Sequence, residues 1–181
     1  HKITDVAALG AAIGIFRAGK TLGKSVSIVV NDPTKSIRPL IAGYVNNPDY
    51  EPSMFVDREQ ATDMVDNNTV VVVVDTNRPS YTECEELLHM TKTIVVLDHH
   101  RRGSEVIENA VLSYVEPYAS SACEMVAEIL QYFSDDLRIR NMEADCLYAG
   151  IMIDTNNFTT RAGVRTFEAA AFLRRSGADV T

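Results

Sequence analysis

Two apolar runs constrain the fold of this chain more than any other feature. Thr69–Asp75 reads TVVVVVD, and Thr93–Asp98 reads TIVVLD. Neither run keeps a polar face for water, so each reads as a strand buried on both faces of a parallel sheet. Further strands are predicted at Ser25–Asn31, ended by Asp32-Pro33, at Ser53–Val56 and at Val111–Val115. Helical patterns lie between them. Ala7–Ala18 carries small residues on its packed face (Ala8, Ala11, Ala12, Ile15), Ile37–Tyr44 and Tyr81–Met90 follow the helical period, and Arg58–Val65 has Asp57 placed to cap it. The last third is helical. Met125–Phe133 stands behind a Ser121/Glu124 capping box, Met142–Met152 follows, and Val164–Arg175 is closed by Gly177. Alternating strands and helices define one α/β domain with a mainly parallel sheet flanked by helices.

Composition then narrows the function. At 46% hydrophobic over 181 residues there is enough apolar surface for a core, which excludes a disordered chain. Seventeen Lys+Arg against twenty-five Asp+Glu leaves a net charge of −8, which argues against a duplex nucleic-acid partner. A phosphate-bearing substrate stays open, because bound divalent cations reverse the local sign of a carboxylate site. Cys84, Cys123 and Cys146 are odd in number and include no C-x-x-C, as expected of small buried thiols in a cytoplasmic protein. No run approaches the roughly 18–20 apolar residues of a membrane span, and the first residues show no signal-peptide pattern. The chain starts at His1 without Met, and is expected to be a piece of something longer.

The metal-competent residues gather where the strands end. Thr69–Val74 delivers Asp75, and Ile94–Leu97 delivers Asp98, His99 and His100. Ligands of open α/β sheets bind at the carboxyl ends of strands, so these groups converge on one crevice. His1 and Asp5 just before the first helix, and Asp154 after Gly150–Ile153, open onto the same edge. Mixed His/Asp donors suit Mn²⁺, Fe²⁺ or Zn²⁺ better than Ca²⁺, and a set this large fits two-metal hydrolysis, in which a hydroxide between the ions attacks phosphorus. A lone aspartate at a strand end is ordinarily a cap or a turn residue; an Asp-His-His triplet after a buried strand needs partners. Arg101 and Arg102 read either as a solvated basic pair or as ligands for phosphate oxygens. Ser120 and Ser121 form first a helix N-terminus, which also attracts anions. His89 reads as a surface histidine. A dinucleotide-cofactor domain is disfavoured, because no G-x-G-x-x-G follows a strand.

Five stretches in order resemble the motifs of the DHH phosphoesterase superfamily: HKITD at 1–5, VVDTN at 73–77, DHHRR at 98–102, EPYASS at 116–121 and GIMIDT at 150–155. DHHRR, EPYASS and the stretch Asp154–Ala170 most resemble the GdpP-type cyclic di-AMP phosphodiesterases. The resemblance implies a Rossmann-like DHH lobe over residues 1–181, without the strand that usually precedes the histidine and without the DHH-associated C-terminal lobe. It implies two Mn²⁺ sites: His1 and Asp5 on the first ion, Asp75 bridging, His99 and Asp154 on the second. Asp98 supports the histidine pair, and His100 faces the substrate phosphate as proton donor. Arg101, Arg102, Ser120 and Ser121 contact substrate. The implied reaction opens cyclic di-AMP to linear pApA. The alternatives are an oligoribonuclease or pAp phosphatase acting on short oligonucleotides, and a catalytically silent nucleotide-binding domain.

One position departs from the pattern. The family's first motif is H-x-x-x-D-x-D, and its last place here is Ala7. A methyl group cannot ligate a metal, so the second ion loses a donor. Retention of the other ligands favours a recent or introduced change over long degeneration. The resemblance also implies a membrane-anchored parent whose cytoplasmic portion holds this lobe, and a homodimer is compatible with it.

Overall fold

The computed structural model describes residues 1–181. The two apolar runs lie side by side as β3 (Val70–Val74) and β4 (Thr93–Asp98), parallel and in register from Val70 opposite Thr93 to Val74 opposite Leu97. β5 (Leu112–Val115) pairs in parallel on the other side, which makes β4 the central strand. A second, two-stranded parallel sheet joins β1 (Ile28–Val29) to β2 (Phe55–Val56). All strand pairs are therefore parallel, as expected.

Period-two alternation sorts the strand side chains between two layers. Val72, Val74, Val95 and Leu97 face a helical layer of α1 (Val6–Thr21), α4 (Ala122–Phe133), α5 (Asn141–Asp154) and α6 (Val164–Arg175). Val71, Val73, Ile94 and Val96 face the opposite side, where Leu88 and Ile107 cover them. The strand β3 departs from the expectation of full burial. Val70 is 55% exposed, because β3 is an edge strand and nothing covers its start.

The first helix is also more deeply set than its small-residue face implied. Ala8 and Ala11 are buried as expected, but Ala12 and Ile15 are only partly covered. Leu9, Ile13 and Phe16 bury a second side against Ile28, Ile37, Tyr44 and Tyr50. The close approach of α1 to α5 depends on glycine. A Cβ on Gly10 would stand 2.6 Å from the Cys146 carbonyl oxygen, and one on Gly150 would stand 3.0 Å from Ala7 Cα.

Three local expectations are corrected. Tyr81–Met90 is not an α-helix; the chain makes 3-10 turns at Pro79–Tyr81 and Glu85–His89 instead. Ser25–Asn31 contributes only two strand residues, because its partner β2 is framed by the Pro52–Met54 turn and the Asp57 cap. The Ser121/Glu124 capping box is half formed. Ser121 Oγ accepts from Glu124 N at 3.0 Å, but the Glu124 carboxylate turns inward to Ser120 Oγ and Thr166 Oγ1. The helix α2 (Arg38–Val45), the Asp57-capped α3 (Arg58–Met64), and Gly177 in a left-handed conformation after α6 match the sequence reading. All three cysteines are free and buried. No helix is long and apolar enough to cross a membrane.

Candidate metal centre

Parallel, in-register strands bring their C-terminal ends to one edge, and this sets the site. Asp75 follows β3 and donates its N–H to Leu97 O at 3.0 Å, so it stands beside Asp98 at the end of β4. One ligand atom each from Asp75, Asp98, His99 and His100 lies within 4.8 Å of the others. Asp154, the last residue of α5, adds a carboxylate 3.7 Å from His99 Nε2.

The two strand-end aspartates meet different surroundings. Asp98 is fully buried and accepts on both oxygens. Its Oδ1 accepts from His99 N at 2.9 Å and faces His100 Nδ1 at 2.7 Å, and its Oδ2 accepts from Asn77 Nδ2 at 2.7 Å. Asp75 is 4% exposed, yet its Oδ1 has no hydrogen-bond partner and stands 3.3 Å from His99 Nε2. That gap, like the one to Asp154, is longer than a charge-assisted hydrogen bond. Lone pairs that converge on a common point are spaced this way. Asp75 also holds φ at 65°, a left-handed conformation that Asp tolerates better than most residues.

The electrostatics agree with a cluster short of positive charge. Burial, and then the Asp75 carboxylate, push the Asp154 carboxyl up to about 6. The hydrogen bond that His100 donates to Asp98 raises the pKa of its ring, which is half exposed. The donor set of buried carboxylates and imidazole fits a divalent ion of the Mn²⁺, Fe²⁺ or Zn²⁺ kind. The orphaned Asp75 oxygen is the observation that makes this fit specific.

The other expected residues are placed as follows. Asp5 caps α1, with Oδ1 accepting from Ala8 N at 2.8 Å, and its charge is among those that raise Asp154. His1 packs its ring edge-on to Tyr81 at 5.8 Å, with Nδ1 held 3.2 Å from its own turn at Ile3; neither His1 nor Asp5 belongs to the tight group. Arg101 and Arg102 are exposed and, with His99, His100, Tyr118 and Arg161, line a cavity of about 910 Å³. Ser120 and Ser121 do not reach that cavity. Both are fully buried, one bonded to Glu124 and the other capping α4. Ala7 is 1% exposed, and Cys123 Sγ donates to its carbonyl at 3.0 Å.

Sequence reasoning did not single out Asn77, Tyr118 or Arg161. Asn77 spans Asp98 and the His100 carbonyl. Its signal was present in the motif VVDTN, two places after the strand-end aspartate. Arg161 follows three left-handed residues, Asn156, Asn157 and Phe158, whose geometry the Asn-Asn pair hinted at.

The α/β lobe carries at its strand ends an Asp-His-His group that could hold a metal, and the chain belongs to the DHH family. The family's N-terminal-domain model ("DHH family, N-terminal domain") matches residues 1–151. The chain is 43% identical over 182 aligned residues to the cyclic-di-AMP phosphodiesterase GdpP of Bacillus subtilis, and covers 99% of this chain and 27% of that protein. It is 37% identical to the cyclic-di-AMP phosphodiesterase PdeA of Listeria monocytogenes, with the same coverage. The chain thus spans about a quarter of the length of these relatives. Among solved structures, an exopolyphosphatase-related protein from Bacteroides fragilis superposes with a TM-score of 0.76 at 18% identity, covering 98% of this chain and 51% of that one, which supports the shared fold.

Proposed function

We propose that this chain is the metal-holding lobe of a manganese-dependent phosphodiesterase that opens cyclic di-AMP to linear pApA. The observation that carries the reading is Asp75. A buried carboxylate oxygen without a partner, facing His99 Nε2 and near Asp154, is costly unless a cation completes it. The relatives' activity supplies the substrate class, and the arginine-lined cavity beside the site suits a diester anion.

Asp75, His99 and Asp154 would hold one ion, with Asp75 shared toward a second held by Asp5 and His1. When bound, such ions supply charge neutralisation at phosphorus and an acidified water. The protein does the rest through its own groups. Asp98, fixed by Asn77, orients His100 and favours its protonated form, the form that can donate a proton to the leaving oxygen. Arg101 and Arg102 hold nonbridging oxygens of the diester. Ser120 and Ser121 stabilise the loop and α4 from inside.

The test is hydrolysis by the full-length parent with Asp at position 7. Turnover of cyclic di-AMP to pApA with Mn²⁺, exceeding that of short oligoribonucleotides, supports the reading. Rapid cleavage of oligoribonucleotides or pyrophosphate with no turnover of cyclic di-AMP would overturn the substrate assignment.

A further inference from the structure

We infer that Tyr118 is a stacking platform for a nucleobase of the substrate, and that Arg161 positions it; this rests on the phosphodiester reading above and deepens it. β5 ends at Val115, and the chain turns through Glu116, Pro117 and Tyr118. That turn is pinned from several directions. Tyr118 N donates to Glu116 Oε1 at 3.2 Å, and Ala119 N donates to Glu116 O at 3.1 Å. The Arg161 guanidinium reaches Pro117 O at 3.3 Å and Ala119 O at 3.5 Å, the carbonyls on either side of Tyr118. Arg161 arrives there through a left-handed backbone, φ 57°.

The ring itself is left in water. Tyr118 is 95% exposed, although its backbone is braced and the next residue, Ala119, is buried. A tyrosine has only two side-chain torsions, so holding its ring against a partner costs little entropy. Tyr118 lines the same cavity as His100, Arg101, Arg102 and Arg161. Cations take phosphate oxygens; an aromatic face takes a base, in the combination that single-stranded nucleotide sites use. An inorganic di- or polyphosphate has no use for the ring. Tyr132, also largely exposed, lies near the end of α4 and does not line this cavity, so exposure alone does not carry the assignment.

The experiment is calorimetric titration of the Mn²⁺-loaded chain with AMP and with ribose 5-phosphate, which share sugar and phosphate and differ only by the base. The expected result is tighter binding of AMP by about 10-fold, from one base stack. Tyr118→Ala should abolish that preference and leave ribose 5-phosphate affinity unchanged. Tyr118→Phe should keep it, and Arg161→Ala should reduce it in part. Equal affinity of the wild type for both compounds overturns the proposal. So does a Tyr118→Ala variant that keeps the AMP preference or weakens both ligands alike. Hydrolysis of cyclic di-AMP by the full-length parent is scored separately. Its absence removes the phosphodiester reading, while an AMP preference lost in Tyr118→Ala upholds the stacking site on its own.

Discussion

Asp75 and Asp98 end neighbouring strands, yet the donors around them divide their roles. Asp98 has three donors on its two oxygens, leaving one of about four acceptor sites, whereas Asp75 keeps a buried oxygen with no partner at all. The family resemblance implied this division of roles, but the donor behind it, Asn77, was not singled out, because it acts only once β3 and β4 lie in register. Ala7 sharpens the same logic. Its carbonyl touches Cys123, whose buried thiol feels the charges of Asp75, Asp154 and Asp5, so position 7 adjoins the acidic cluster. Ala7→Asp adds a carboxylate in a nearly closed place. Without metal the variant should lose about 1–3 kcal/mol, the cost of an unpaired buried polar group. With Mn²⁺ it should regain that stability and hold more metal per chain than Ala7 does. Thermal unfolding in EDTA and in Mn²⁺, with metal analysis, checks both halves. Equal unfolding temperatures and metal content in the two proteins would place position 7 outside the ligand set.

At the scale of elements, the helices fasten to one another through a buried ion pair that is not legible in the sequence. Glu143 on α5 is fully buried. Its oxygens accept from Arg17 Nε at 2.8 Å and Arg17 Nη2 at 2.7 Å on α1, and from the Tyr50 hydroxyl at 2.9 Å. Arg17→Met should cost about 3–5 kcal/mol in urea unfolding, because it strands a buried carboxylate. Adding Glu143→Leu should recover part of the loss. The same contact gives a pH signature. Burial, then Glu143, raise the Tyr50 phenol from about 10 to about 12. Below pH 10 both folded and unfolded chains keep this proton. Between 10 and 12 only the folded chain does, so the contribution is lost as pH rises through that window. Burial raises the Tyr44 phenol as well, so ultraviolet titration of the folded chain should show two tyrosines, Tyr44 and Tyr50, ionising late, and Glu143→Gln should bring the Tyr50 step down. Elements legible in the sequence were those whose own residues decide the state: the β-branched runs, the Asp57 cap, Gly177. The paired length of β1 was not legible, since β2 sets it. Nor were the 3-10 turns near Glu85, where the adjacent Leu87 and Leu88 pack into two different apolar clusters.

For the whole molecule, the −8 charge and the acidic cluster imply a fold held below its stability limit by its own site. Asp75 and Asp154 repel each other across His99, and Asp154 is raised to about 6 partly for that reason. A bound cation turns that repulsion into attraction. Asp75→Asn isolates the effect, because asparagine accepts the left-handed φ of 65° and nearly preserves the side chain's shape. In EDTA the variant should unfold at a higher temperature than the wild type, and Asp154 should titrate closer to an ordinary carboxyl. In Mn²⁺ the order should reverse. At a concentration 100-fold above its dissociation constant, a ligand of the folded state adds about 2.7 kcal/mol. In a domain of this size that corresponds to a rise of roughly 5–10 °C. The wild type should show that rise and Asp75→Asn should not. A variant less stable than the wild type in both conditions would mean that Asp75 serves the fold rather than a cation. The crossing of the two orders is the outcome that only a metal-holding role produces, because a purely structural aspartate has no reason to be worse than asparagine without metal and better with it.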